Sequence, residues 1–343
     1  MKKYTYSFLA AILASGIAHG AGATAYTTPV GYSSQTLAGP GFNLAGLTLH
    51  NSQLAAGKFE TITATSATDN DVTYAPLIGR TYVLEITSGT LLGAVFEILA
   101  SNISGSDINV ITVPATDLVT LGLTTSDTYS LRLAPTLEEI FTTIPLGQPG
   151  GVLESALNAA GSDIVWLPDG NGGFVKYYLR TGGNPVTSVF RAVATNTASL
   201  DIPVVYVDGM IIEKKSSTPA TLTVTGEVKV KASTTALTFG FNTVSIVAPV
   251  GLNLFNAGLE DDLLAGLNAA GADLVWVQNA DKTFTKYFRR SNTNPGWRVE
   301  GNTTTLTQAQ AEAVTLSNSL IIEVRTAGTV PLDLNVPSSY SNL

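Results

Sequence analysis

The stretch Leu157-Asn158-Ala159-Ala160-Gly161-Ser162-Asp163-Ile164-Val165-Trp166 returns 110 residues later as Leu267-Asn268-Ala269-Ala270-Gly271-Ala272-Asp273-Leu274-Val275-Trp276. At this constant offset, residues 157–224 can be laid over residues 267–334 without a gap. Duplication of a unit this long is typical of a modular architecture, in which each copy can have its own small core. We therefore expect two similar modules in tandem.

The first 25 residues have the three parts of a secretory leader. Lys2 and Lys3 precede an apolar run, 8–18, and small residues that suit a signal peptidase follow at 21–25. The run is shorter than the roughly 20 residues that a membrane-spanning helix needs. We expect an exported chain, located in the periplasm, on the outer surface or outside the cell, with no transmembrane segment after leader removal.

Composition excludes several kinds of chemistry. The chain has no cysteine and two histidines, His19 and His50, of which His19 lies in the leader. Disulfides, thiolate zinc sites and multi-histidine metal sites are therefore excluded, and we expect no cofactor and no metal. Without Lys2 and Lys3 the chain has 16 basic residues against 26 acidic ones. Because phosphate binding needs an excess of Lys and Arg, we expect no nucleic-acid partner.

Strand and turn patterns predict a mainly β protein. Short alternating runs such as 81–87, 94–99 and 108–113 are separated by Gly, Asn, Asp and Ser. They favour an N-terminal antiparallel β-sandwich or small barrel, followed by two tandem β-rich repeats with short helices. The expected ranges are a leader at 1–25, an N-terminal β domain at 26–135, repeat modules at 136–235 and 236–336, and a tail at 337–343.

Each repeat is expected to begin with a short helix and to continue as a hairpin. The helices are predicted over 152–157 and 259–267, ended by Gly161 and Gly271 in the left-handed conformation. In the first repeat the turn Asp169-Gly170-Asn171-Gly172-Gly173 joins two strands. Thr307 and Gln310 have the spacing of a capping box for a further helix in the second repeat.

Aromatic residues are the candidate binding groups. Trp166 and Trp276 lie in apolar strands, which favours burial over a surface platform for sugar rings. Trp297 follows Asn294-Pro295-Gly296 and is expected to be exposed. The candidate binding residues that would stack on a ligand or contact it are Trp297, Arg298, Tyr178 and Phe288.

Carboxylates offer a weaker hypothesis. Asp163 and Glu213, repeated as Asp273 and Glu323, could act as a glycosidase pair. The simpler interpretation is that the aspartates accept backbone amides in a turn and that the glutamates pair with a neighbouring basic residue. Asp169–Gly173 and Thr68–Asp71 superficially resemble calcium loops, but a hairpin turn is the favoured interpretation of the first. We expect no catalytic residue.

Several motifs together resemble one known group of proteins. They are Thr28-Pro29-Val30-Gly31-Tyr32, Gly41-Phe42-Asn43-Leu44 with its echo Gly251-Leu252-Asn253-Leu254, Tyr82-Val83-Leu84-Glu85-Ile86-Thr87-Ser88-Gly89 and Thr221-Leu222-Thr223-Val224-Thr225-Gly226-Glu227-Val228. The chain is similar to a family of exported, β-rich, uncharacterised proteins common in verrucomicrobial genomes. The resemblance implies an envelope or extracellular location and brings no catalytic residues. The family's Trp-Arg pair is present as Trp297-Arg298, whereas the offset places Thr187 and Ser188 there in the first repeat.

These patterns predict an exported, non-enzymatic structural or surface-interaction protein of the cell envelope or extracellular matrix. Its expected partners are a polysaccharide or envelope component, or further copies of itself, since tandem modules suit multivalent binding. The first alternative is a carbohydrate-binding protein that uses exposed aromatic residues of the repeats. The second is a carboxylate-based glycan hydrolase.

Overall fold

The computed structural model describes residues 29–72, 79–99, 102, 110–112, 117–141, 151–182, 187–199, 201–291, 295–316 and 318–342. The expected leader, residues 1–25, lies outside the described residues. None of the helices in these ranges is long and apolar enough to cross a membrane.

Short strands dominate the chain. The first part contains β1 (Val30–Leu37), β2 (Gly41–Gly46), β3 (Gln53–Lys58), β4 (Thr61–Ile62), β5 (Ser66–Thr68), β6 (Tyr82–Ile86), β7 (Val95–Ile98), β8 (Val110–Thr112), α1 (Leu118–Leu121), β9 (Thr128–Leu133) and α2 (Leu137–Phe141). The first repeat contains β10 (Ile164–Pro168), β11 (Phe174–Gly182), β12 (Thr187–Ala192), β13 (Gly209–Lys214) and β14 (Ala220–Glu227). The second contains β15 (Ser233–Ser245), α3 (Leu259–Asp262), β16 (Leu274–Gln278), β17 (Phe284–Arg290), β18 (Gly296–Val299), α4 (Gln308–Glu312) and β19 (Ser319–Leu334). The prediction of a mainly β fold with short helices is confirmed.

The two repeats form five-stranded antiparallel sheets with the same strand order. The first is β12-β11-β10-β13-β2, and the second is β18-β17-β16-β19-β15. Their registers also match, because Trp166 lies opposite Lys176 and Ile211, and Trp276 lies opposite Lys286 and Ile321. The duplicated sequence therefore specifies a duplicated sheet.

The first sheet is completed by a strand from far earlier in the chain. Strand β2 pairs with β13, and β1 pairs with β14, although β1 and β2 fall within the range 26–135 expected for the N-terminal domain. In the second repeat, the single long strands β15 and β19 make the corresponding pairings. Strands β3 to β9 are thus an insertion between β2 and β10, two neighbouring elements of the first repeat.

The inserted strands surround a core of their own. They form a four-stranded sheet, β3-β9-β6-β7, and a three-stranded sheet, β4-β5-β8. Both sheets contribute to one cluster of buried side chains, including Phe59, Ala67, Leu84, Ile111 and Leu131. Of the two arrangements expected for this region, the structure has two sheets packed around a common core.

Alternation along the strands directs one face of each repeat sheet inward. Val165 and Leu167 of β10, like Val275 and Val277 of β16, are buried, whereas the tryptophan between each pair is only half-buried. This period of two is that of a strand with one face against a core. The inward faces of both repeats belong to a single cluster of buried residues, so the two copies share one core.

Each repeat also places its hairpin against the first strands of the other. From the β16–β17 turn, Lys282 donates hydrogen bonds to the carbonyl oxygens of Ala38 (2.5 Å) and Pro40 (2.8 Å). In the other direction, Gly172 of the β10–β11 turn lies so close to β15 that an added Cβ would be 2.9 Å from the Phe239 carbonyl oxygen. Gly172 has a φ of 81°, a conformation that favours glycine. The contacts are therefore reciprocal between the copies.

Buried ion pairs join the inserted strands to the repeats. Lys229 pairs with Glu85, and Arg132 Nη1 lies 2.5 Å from Glu227 Oε2. Tyr206 donates a hydrogen bond of 3.2 Å to Glu85. Burial, together with the charges of Arg132 and Lys229, lowers the pKa of nearby His50 to about 3, so His50 is neutral at neutral pH.

The predicted short helices are partly present. The capping box is confirmed, since Thr307 caps α4 and Gln310 bonds back to it. Helix α3 covers only Leu259–Asp262 of the predicted 259–267. The helix predicted over 152–157 is absent from the described residues at that place, and Gly161 and Gly271 are not left-handed.

The physical reason is local competition for backbone groups. The Ser162 hydroxyl accepts from Ala156 N (2.9 Å), and the Asn158 side chain accepts from Gly161 N (3.2 Å). Such side-chain bonds hold the backbone in turns rather than in a helix.

Candidate functional site

The four aromatic and basic residues predicted to bind a ligand are buried. Trp297 is 3% exposed and belongs to the main core, so the prediction of an exposed loop position is wrong. Arg298 is also buried and donates through Nε to the Thr305 hydroxyl (3.0 Å). Strand β18 begins at Gly296 rather than after it, which turns Trp297 inward against the sheet.

Tyr178 and Phe288 are buried for a different reason. Phe288 lies in a small cluster with Ala272 and Leu274, outside the main core. Tyr178 donates a 2.5 Å hydrogen bond to Asn196 Oδ1. Asn196 contacts Tyr178, and Ala269 and Ala272 pack in the cluster of Phe288, so neither buried ring is available for stacking on a ligand.

The first repeat does have a counterpart of the Trp297-Arg298 pair. Register places Arg298 opposite Phe288, and it places Arg191 opposite Tyr178. Phe190-Arg191 is therefore equivalent to Trp297-Arg298, with an offset of 107 rather than 110. The gapless alignment, which placed Thr187 and Ser188 there, was wrong over this strand because the connection before it is shorter in the second repeat.

A matched group of aromatic residues lies on the face of each sheet that points away from the main core. We call Phe42, Trp166, Phe174 and Lys176 patch 1. The Phe42 and Phe174 ring centroids lie 5.7 and 6.1 Å from Trp166, both nearly edge-on, and Lys176 Nζ lies 3.6 Å from the Trp166 ring. Edge-to-face rings and a cation over an indole are attractive arrangements.

Patch 2 repeats this geometry with Phe241, Trp276, Phe284 and Lys286. The Phe241 and Phe284 centroids lie 5.5 and 6.0 Å from Trp276, and Lys286 Nζ lies 4.1 Å from its ring. Phe42 and Phe241 are 46% and 45% exposed. Both tryptophans are half-buried, so neither occupies the core position that was favoured for it.

The sequence contained a signal for these patches that the offset of 110 conceals. Gly41-Phe42-Asn43 recurs as Gly240-Phe241-Asn242, not as the expected echo at 251–254. Asn43 Nδ2 donates to Ala38 O and Gly41 O, while Asn242 Nδ2 donates to Thr238 O and Gly240 O. The same asparagine-centred turn thus presents Phe42 and Phe241.

The carboxylates weighed as a catalytic pair are engaged in structural bonds. Asp163 accepts from the backbone N of Glu154 (2.8 Å) and Lys215 (2.7 Å) and from Lys214 Nζ (2.5 Å). Glu213 pairs with Lys215. Asp273 likewise accepts from Leu264 N and Arg325 N, and Glu323 pairs with Arg325. These contacts agree with the simpler interpretation of both carboxylates.

The two loops compared with calcium sites differ in what they bring together. Asp169 Oδ1 accepts from Asn171 N (2.8 Å) and Gly173 N (2.9 Å), as in an ordinary hairpin turn. Ligand oxygens of Glu60, Asp69 and Asp71, in contrast, lie within 4.8 Å of one another. Carboxylate oxygens at this spacing could hold a hard cation such as Ca²⁺.

An acidic cleft of 260 Å³ opens between the inserted strands and the two repeats. Glu97 of β7, Asp208 at the start of β13 and Asp169 of the β10–β11 turn contribute carboxyl groups to its wall. Burial, and then the charge of Glu97, raise the pKa of Asp208 to about 7. Burial also raises the pKa of Glu97. Perturbed carboxyls in a cleft mark a candidate functional site.

Comparisons with protein-family models, curated proteins and solved structures give no significant match to this chain. The resemblance to a verrucomicrobial family of exported proteins therefore stays a prediction. The two aromatic patches and the acidic cleft are the candidate functional features among the described residues.

Proposed function

We propose that this is an exported, non-enzymatic surface-interaction protein of the cell envelope or extracellular matrix. The observation that carries the proposal is the duplication of the aromatic patch. Patch 1 and patch 2 keep the same four positions, ring angles and lysine placement on the outward faces of two sheets.

Two equal sites on one chain favour a partner that repeats. When both patches engage one polymer, the second contact is intramolecular, and the overall affinity exceeds that of either patch. Exposed aromatic groups are also a cost to a soluble protein, and clustered ones mark interaction surfaces. A repeating polymer is therefore the kind of partner that this surface fits.

A polysaccharide is the favoured polymer. The exposed rings of Phe42 and Phe241 offer apolar surface to the C–H groups of a sugar ring. Lys176 over the Trp166 ring, and Glu323, which accepts 3.1 Å from Trp276 Nε1, place charged groups next to the tryptophans. This arrangement supports the carbohydrate-binding alternative with a different set of aromatic residues from the one predicted.

Sedimentation of the leader-free chain with insoluble polysaccharides and with purified envelope material tests the proposal. Phe42→Ser and Phe241→Ser should each weaken binding, and the double variant should lose it, because both phenylalanines are exposed and little folding energy depends on them. Tyr32→Ser is the matched control, since Tyr32 is exposed on β1, which pairs with β14 and not with a strand of either patch. Unchanged binding by the double variant would overturn the proposal.

A further inference from the structure

The acidic cleft exists where the symmetry of the two repeats is broken. Gln278, the last residue of β16, fills the place beside strand β2. Its Oε1 accepts from Leu44 N (2.9 Å), and its Nε2 donates to Phe42 O (3.0 Å). The equivalent residue in the first repeat is Pro168, which has no side-chain amide and cannot serve the corresponding edge of β15.

The cleft lies along the edge that Pro168 leaves open. Pro168 and the β15 residues Phe241, Asn242 and Thr243 all line it. Within the part of the chain that the structure describes, the Asp208 carboxyl makes no hydrogen bond or ion pair. Asp208 is half-buried and lines the open cleft, where a ligand hydroxyl or water can serve as the partner that its carboxyl lacks.

The chemistry of the wall selects the kind of ligand. None of the described residues that line the cleft is basic, which disfavours an anion. Carboxyl and hydroxyl groups line it instead, with Glu97, Asp208 and Thr235 as examples. Such groups both donate to and accept from the hydroxyl groups of a neutral sugar.

Size and position argue against a single metal ion. The volume of 260 Å³ is close to the lower end of the roughly 300–1,000 Å³ found for small-molecule sites. It is several times the ~30 Å³ that one water occupies in the liquid. Phe241 belongs both to the cleft wall and to patch 2, so a ligand in the cleft continues onto the aromatic surface.

We propose that the acidic cleft is a subsite for one neutral sugar unit at the end of an oligosaccharide whose next unit lies on Phe241. The inference rests on the proposed binding of polysaccharide in one respect, since the cleft and patch 2 would share a ligand. The first patch has no such subsite, because Gln278 fills the equivalent place. Patch 2 with the cleft would then bind the end of a polysaccharide, and patch 1 would bind units within it.

Titration calorimetry of the leader-free chain with cellohexaose, maltohexaose and chitohexaose tests this subsite. At least one of these oligosaccharides should bind at millimolar concentration, and an oligogalacturonate should not. Pro168→Gln supplies the amide that closes the equivalent place in the second repeat, and it should weaken binding about tenfold or more, equivalent to ~1.4 kcal/mol. Pro168→Ala keeps the cleft open and should bind like the native chain.

Asp208→Leu provides a second variant that removes the carboxyl and fills the space. It should also lose the oligosaccharide, and its melting temperature shows whether it folds. Native-like binding by a folded Pro168→Gln variant overturns the inference. Heat on addition of CaCl₂ that disappears in a folded Asp208→Leu variant, with no oligosaccharide bound, also overturns it and makes the cleft a cation site.

The same variants separate this inference from the proposed function. Sedimentation with polysaccharide that survives Pro168→Gln but fails in the Phe42→Ser, Phe241→Ser double variant leaves the patches as the binding surface and removes the cleft. Oligosaccharide binding that is lost in Pro168→Gln and Asp208→Leu, without any effect of Phe42→Ser on sedimentation, leaves the cleft and removes the bivalent surface.

Discussion

The two repeats have the same strand order and register, but the side chains that support this common backbone are only partly the same. Asp163 and Asp273 each accept two backbone amides at the same places. Only Asp163 also pairs with a buried lysine, Lys214, where the second repeat has Val324. The comparison teaches that the aspartate bonds to the backbone define this part of the fold and that the lysine is an addition to it.

The largest expected effect on stability comes from replacing these two aspartates one at a time. Asp163→Asn leaves the ammonium of Lys214 buried without its partner, and removal of one member of a buried ion pair costs about 3–5 kcal/mol of unfolding free energy. Asp273→Asn weakens hydrogen bonds only and should cost about 1–3 kcal/mol. Urea denaturation of both variants measures the difference.

A double variant controls this prediction. In Asp163→Asn with Lys214→Met, no unpaired charge remains, and most of the extra cost should return. Equal costs for the two aspartate variants would show that Lys214 has no special dependence on Asp163.

The second prediction makes the first repeat more like the second at the cleft. Asn318 occupies the place equivalent to Asp208. The pKa of Asp208 is raised from 3.8 to about 7 in the folded state, so the folded protein holds a proton that the unfolded chain releases. Native stability should therefore fall as the pH rises from about 4 to 7.

Asp208→Asn removes this dependence. At about pH 8 it should raise the free energy of unfolding by up to about 4 kcal/mol, from ~1.36 kcal/mol per pKa unit, less the screening by water in the cleft. At about pH 4 the two proteins should be equally stable. Burial also raises the pKa of Glu97, which lines the cleft, and an Asp208→Asn variant that keeps the full pH dependence would assign it to Glu97.

The third prediction concerns the edge that only one repeat closes. Gln278→Ala removes the hydrogen bonds to Leu44 N and Phe42 O and should cost about 1–2 kcal/mol, with hydrogen exchange faster at Leu44. Gln308→Ala is the matched control, because Gln308 is exposed and bonds only to the Glu312 side chain among the described residues. A loss no larger than that of the control would mean that Gln278 does not support β2.

The smallest expected difference is between the two tryptophans. Trp276 Nε1 donates 3.1 Å to Glu323, whereas Trp166 Nε1 has no hydrogen-bond partner among the described residues. Trp276→Phe should therefore destabilise the protein by about 1 kcal/mol more than Trp166→Phe. Thermal unfolding of the two variants at one pH decides this, and equal melting temperatures would contradict it.

Sequence patterns were sufficient for features that depend on near neighbours. The duplicated hairpins, the turn at Asp169–Gly173 and the capping box at Thr307 all involve residues a few positions apart, whose preferences act locally. Local patterns did not predict which side chains are buried by segments distant in the sequence. Trp297 was misplaced because Asn294-Pro295-Gly296 suggested a loop, whereas strand β18 begins at Gly296 and Trp297 packs in the main core.

The cleft could not be predicted from motifs because it depends on the absence of a side-chain amide at Pro168, where the second repeat has Gln278. Its wall comes from three segments, represented by Glu97, Asp208 and Phe241, which no local pattern connects. The comparison of Pro168 with Gln278 was available in the alignment of the repeats. Its meaning required the position of β2, which pairs with β13 across a large part of the chain.

The insertion of β3–β9 sets the order in which the first sheet can be completed as the chain emerges. Phe42 pairs with Glu213, which is 171 positions later in the chain, whereas Phe241 pairs with Glu323, which is only 82 positions later. A twofold longer loop costs only about 0.6 kcal/mol of closure entropy. Asn51 Nδ2 also bonds to Leu133 O (2.9 Å), which holds the two ends of the insert together. An insert that folds first would therefore bring β1 and β2 close to β14 and β13, the strands of the first repeat that are synthesised last.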